Sequence, residues 1–80
     1  MQVEHHPLVK EFPDHRESIH KLKAQDHHFS RLCSDYEDLD KEIVRIEDGF
    51  EAKSDAALES LKKRRLVLKD ELYGILRKAA

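Results

Sequence analysis

From Phe29 onward, apolar side chains recur at alternating intervals of three and four: Phe29, Leu32, Tyr36, Leu39, Ile43, Ile46 and Phe50, with Leu22 one heptad before them. A seven-residue apolar period places its members along one stripe of a helix and predicts packing against a second helix over that length. At ~1.5 Å per residue, residues 28–50 would form a rod of roughly 34 Å, which water alone does not stabilise. The stripe therefore needs a cover, and the chain carries one. Leu58, Leu61, Arg65, Leu68, Leu72, Ile75 and Ala79 repeat the same spacing. Gly49 and the stretch Glu51-Ala52-Lys53-Ser54-Asp55 separate the two seams, and Ser54 or Asp55 suits the N-cap of a new helix. Short connections favour antiparallel neighbours, so the expectation is an all-α, coiled-coil-like antiparallel two-helix hairpin.

The expected boundaries follow. Pro7 and Pro13 bracket Val3, Leu8, Val9 and Phe12, which share no sustained period, so residues 1–12 read as an irregular N-terminal arm. Asp14 and Glu17 have the spacing of a capping box, and predict a first helix over about 14–50 within a hairpin domain of residues 13–80. Asp26 is a second N-cap candidate, and Gln25 interrupts the seam, so a break near 24–27 is compatible with the pattern. The loop is placed at about 51–54 and the second helix at about 55–78.

Charge sets the register. Residues 1–55 hold 8 Lys or Arg against 14 Asp or Glu, while residues 56–80 hold 7 against 3. Opposing Phe50 to Leu61 and Ile43 to Leu68 brings Glu47 near Lys62 and Asp40 near Lys69. Arg65 is a cation within the second seam; its methylenes can cover the stripe while its guanidinium reaches Asp40, Glu42 or Glu47. Exposed pairs contribute only ~0.2–1 kcal/mol each, so they select orientation while apolar burial stabilises the pair. Val44, Leu66, Val67, Tyr73 and Leu76 fall beside or outside the seams. They form a candidate interaction strip, for self-association or another protein, unless Leu8 and Phe12 of the arm fold back over it.

Glu11-Phe12-Pro13, Ile19-His20-Lys21-Leu22-Lys23, His28-Phe29-x-Arg31-Leu32, Tyr36, Glu42-Ile43-x-Arg45-Ile46-Glu47 and Lys62-Lys63-x-Arg65-Leu66-x-Leu68-Lys69-Asp70-Glu71-Leu72-Tyr73 together resemble the YdcH family of small bacterial proteins. The resemblance covers nearly the whole chain. It implies a bacterial cytoplasmic helical hairpin with no established activity, cofactor or catalytic residue. Many members read Asn-Pro where this chain has Asp26-His27, which suits a helix start at that point.

Chemistry-bearing residues give little to an enzyme. His5, His6, His15, His20, His27 and His28 all precede Phe29, yet no pair of them is three or four residues apart, the spacing that aims two ligands from one helical face. Cys33 has no second thiol, and His28, five residues away, points to another side of the helix. It reads as a small apolar filler, and the adjacent carboxylates Asp70-Glu71 and Glu37-Asp38 as surface. No catalytic residue, cofactor, metal or small-molecule substrate is assigned. Lys62-Lys63-Arg64-Arg65 is a basic run, but successive residues on a helix diverge by ~100° and no aromatic is interleaved for stacking. With a net charge of -2, nucleic acid is a disfavoured partner. No stretch approaches the roughly 20 apolar residues of a membrane span, and residues 1–6 lack the pattern of a secretory signal. The expected function is non-enzymatic protein–protein association or self-assembly in the cytoplasm. The alternative is a nucleic-acid-binding accessory protein using the basic second helix.

Overall fold

A computed structural model of the chain describes His5 and residues 7–79. Its regular structure is helical: α1 (Leu8–Glu11), a 3-10 turn (Pro13–His15), α2 (Arg16–Gln25), α3 (His27–Glu47) and α4 (Asp55–Ala79). The molecule measures 39 × 22 × 17 Å. At ~1.5 Å per residue α4 runs nearly its full length, and the other elements pack along it.

Among the described residues four helices replace the expected two, because the first segment is interrupted and the arm contains a helical turn. Asp26 leaves helical geometry at φ -121°, ψ 109°, and its Oδ1 accepts from the Phe29 N–H at 3.1 Å. This carboxylate satisfies a donor left orphaned at the start of α3 while the Asp26 N–H closes α2 onto the Leu22 carbonyl. The Asp14 cap expected for the first helix is not made. Proline at the first position opens a 3-10 turn at Pro13, so Asp14 lies inside that turn, and α2 begins after His15 with no side-chain cap. Within the supposedly irregular arm, Leu8–Glu11 is one helical turn closed by the Phe12 N–H on the Leu8 carbonyl. Residues 1–4 and 6 of the arm lie outside those described.

The end of α3 departs from the seam reading for a clear reason. Gly49 takes φ 84°, its N–H bonds the Ile46 carbonyl, and the Phe50 N–H bonds the Arg45 carbonyl. This is a Schellman stop, in which a glycine in left-handed geometry satisfies the last carbonyls and turns the chain away. Phe50, expected to face Leu61 in the seam, is therefore 80% exposed. After the loop, Ser54 Oγ accepts from the Ala57 N–H at 3.2 Å and starts α4.

The core joins Phe29, Cys33 and Tyr36 of α3 to Leu72 and Leu76 of α4, with Leu8 of α1 and Ile19 of α2 completing it. Val9, Phe12, Leu22, Leu32, Leu68 and Ile75 pack around this cluster. The buried face of α3 is rotated from the heptad stripe: Cys33, Asp40 and Val44 are buried, whereas Leu32 and Ile46 are only half-buried. Leu8 and Ile19, packed in the Cys33 cluster, supply a third layer that a two-helix reading does not contain. A Lys23–Glu37 ion pair at 3.1 Å also ties α2 to α3.

Candidate interaction surface

Two groups of residues bear on association: a polar cluster between α3 and α4, and the apolar residues that the packing leaves outside. Asp40 lies at the centre of the first, on α3 one heptad after Cys33 and 4% exposed. Its Oδ1 accepts from Arg65 Nη1 at 2.9 Å, and His5 Nδ1 lies 3.1 Å from Oδ2. A buried carboxylate is costly unless it is paired and hydrogen-bonded, and here Arg65 of α4 and His5 of the arm supply partners. Arg65 reaches it from a half-buried seam position. Asp40 is thus engaged one helical turn nearer the loop than Lys69, the partner assigned by the expected register. Glu47 lies 3.8 Å from Lys62, which also reaches Glu59 at 3.9 Å. Lys69 instead borders an open cleft of about 180 Å³, lined also by Glu11, Tyr36, Lys62, Arg65 and Leu66.

Burial shifts two ionisable groups beside this cluster. The Tyr36 hydroxyl is pushed up to about 12, first by desolvation and then by the nearby Glu11 and Asp40 carboxylates, against the opposing Arg65 charge. Desolvation likewise pushes the Cys33 thiol up to about 11, with Lys23 opposing and Glu37 adding to the rise. A thiol held protonated is a poor nucleophile, so Cys33 functions as packing. No group of three His, Cys, Asp or Glu side chains among the described residues has a metal-holding geometry, and His6 lies outside those residues.

The candidate apolar strip divides. Val44 and Leu76 are buried, at 6% and 0% exposure, and belong to the interior. Leu76 follows Leu72 by one turn and enters the cluster with Leu8 and Ile19, while Val44 follows the rotated face of α3; neither is part of an accessible surface. Tyr73 is half covered: Phe12 stacks on it at 5.1 Å with an 18° interplanar angle, His15 meets its edge, and Arg77 lies 5.8 Å from its centroid. Leu66 and Val67 remain 53% and 55% exposed. Phe50 joins the exposed apolar residues, and the signal for it in the sequence is Gly49 immediately before it. Of the basic run, Lys62 and Arg65 turn to carboxylates while Lys63 and Arg64 face outward.

The family described as "Protein of unknown function (DUF465)" matches residues 29–76, a span that begins and ends on the buried Phe29 and Leu76. The chain belongs to the DUF465 family. Relatives within reach of this DUF465 chain include the uncharacterised protein YdcH of Escherichia coli (strain K12) and that of Shigella flexneri. Each is 37% identical over 65 residues, covering 81% of this chain and 88% of the relative. The resemblance to YdcH drawn from the residue runs thus holds as kinship. No solved structure matches the chain. Among the described residues, no helix of this DUF465 protein is long and apolar enough to cross a membrane.

Proposed function

We propose that this DUF465 chain is a non-enzymatic cytoplasmic module for protein association, in which α3 and α4 act as an antiparallel, coiled-coil-like hairpin that presents α4 to a partner. The observation that carries the reading is the exposure of Leu66 and Val67 at the middle of α4, on a helix whose other side buries Leu72 and Leu76 in the core. Apolar side chains held on a rigid helix suit docking against another helix. The order of contacts supports the hairpin: Glu47 meets Lys62 and Asp40 meets Arg65, so partners ascend α4 as they descend α3. The nucleic-acid alternative has less support, since half of the basic run is spent on intramolecular carboxylates.

The test places a photo-crosslinking amino acid at Leu66 or Val67 in the native cell, with the buried Leu72 as control, and identifies the adducts by mass spectrometry. Adducts at Leu66 or Val67, to this chain or to one recurrent protein, are expected. Their absence, together with a monomer by light scattering at high concentration, would overturn the association reading.

A further inference from the structure

The outer face of α4 carries charges that form no ion pair among the described residues. Ala56, Ser60, Lys63, Val67, Asp70 and Gly74 follow one another at helical spacing opposite the buried Leu72 and Leu76, and all six are exposed. Among the described residues, Lys63, Arg64, Asp70 and Glu71 take part in none of the ion pairs formed by their neighbours Lys62 and Arg65. Arg64 borders a groove with Asp35, Asp38 and Glu42 but forms no ion pair there. Gly74 is equally unexplained within the chain. Glycine inside a helix costs stability relative to alanine, yet a Cβ at this position would meet nothing within 4 Å.

These features fit one partner. We infer that the outer face of α4 pairs antiparallel with α4 of a second copy, about a two-fold axis at Val67. Such an axis keeps each flank of one helix beside the same flank of the other, so it joins residues one heptad apart on a common flank. On one flank Arg64 meets Glu71 of the second copy; on the other Lys63 meets Asp70; the axis repeats both contacts. Val67 meets its own counterpart, and Ser60 meets Gly74, where the missing Cβ lets the backbones approach. A parallel in-register pair would set Lys63 and Arg64 against the same cations and is excluded by repulsion. With one large apolar residue at the centre and ion pairs around it, the dimer is small, weak and salt-sensitive. The inference rests on the association reading above and supplies its partner.

Sedimentation equilibrium on the full chain tests it. K63E/R64E and D70K/E71K each place one sign of charge at all these positions, and each is expected to raise the dimer Kd about ten-fold or more. Mixing the two variants in equal amounts should restore a dimer at least as tight as the native one, and added salt should weaken the native dimer. Circular dichroism checks that each variant is folded. Val67→Cys on a Cys33→Ala background is the independent readout: it should oxidise to a symmetric disulfide dimer, whereas Ala56→Cys, far from the axis, should not. Unchanged self-association of the charge variants, no recovery on mixing, or crosslinking at position 56 rather than 67 would overturn the inference. A native chain that stays monomeric would do the same, and would leave the association reading standing if Val67 still crosslinks to another protein.

Discussion

The two ends of the α3–α4 pair are built differently. At the end away from the α3–α4 loop, Phe29, Cys33 and Tyr36 meet Leu72 and Leu76 under a third layer that contributes Leu8 and Ile19. At the loop end, among the described residues, only two helices meet, Leu58 and Leu61 are half-buried, and Phe50 projects into solvent. A helix pair alone shields one stripe, and a short additional segment turns that stripe into an enclosed core. The difference locates the stability of the molecule at the end where α1 and α2 cross, and leaves the loop end and the outer face of α4 for other uses.

The largest effect should come from the enclosed end. Phe29 is fully buried, and Phe29→Ala removes a ring from a site bounded by three layers, where collapse is hindered. Thermal or urea unfolding should register a loss of about 3–5 kcal/mol. A loss below about 1 kcal/mol would mean that the third layer does not enclose the site. Next is the polar cluster that bridges the two regions. Asp40→Ala leaves Arg65 without its carboxylate and should cost about 3–5 kcal/mol, at or somewhat below the Phe29 effect because Arg65 retains some access to water. Replacing both partners, with Asp40→Leu and Arg65→Met, should recover most of that loss. A double-mutant cycle that shows no coupling would separate the pair from the fold's stability.

Alkaline pH probes the enclosed end in a different way. Cys33 and Tyr36 are neutral in the folded protein up to about 11 and about 12, against ordinary values of 9.0 and 10.0. Between those limits the unfolded chain releases protons that the folded chain retains, so stability falls as pH rises through about 9 to 12. Cys33→Ala should remove the lower part of this decline and leave the upper part, which belongs to Tyr36. An unaltered profile would show that the Cys33 thiol is reached by water in the folded state.

How far the sequence reveals this contrast depends on which physical signal is asked. The apolar spacing from Phe29 and from Leu58 identifies two helices, because a repeated period needs only local counting. Asp26 is readable as a cap for the same reason: the residue type and the N–H it serves are three positions apart. The third layer is not periodic. Leu8, Phe12 and Ile19 belong to one turn, a loop and a short helix, and their shared destination is a tertiary fact that no local count contains. Val44 looks external in a heptad diagram and is internal because the buried face of α3 is rotated, and Leu76 because the third layer with Leu8 and Ile19 encloses its part of α4. The position of Asp40 within the buried face is hidden likewise, since a carboxylate beside a seam ordinarily marks the solvent edge. Phe50 is the converse case, where periodicity continues through a residue that backbone geometry has already released. The charge asymmetry between the halves places Lys62 opposite Glu47, which lie 3.8 Å apart, but does not choose between Arg65 and Lys69 for Asp40, because the two cations are one turn apart on α4.

The smallest predicted effect is the sharpest test of the thin end. Phe50 follows the left-handed Gly49, and its ring is exposed, so Phe50→Ser should change stability by no more than about 0.5 kcal/mol at low protein concentration. Gly49→Ala in the same loop should cost about 1 kcal/mol, because an alanine is strained at φ 84° although no neighbour blocks its Cβ. The pair therefore separates backbone from side chain: the glycine holds the stop, and the phenylalanine is incidental to it. A destabilising Phe50→Ser beside a neutral Gly49→Ala would reverse that assignment and would mean that the ring packs back onto the helices, making the loop end a second enclosed core. Should Phe50→Ser become destabilising only as concentration rises, the ring instead lies in contact with another molecule, and the loop end is itself a docking surface.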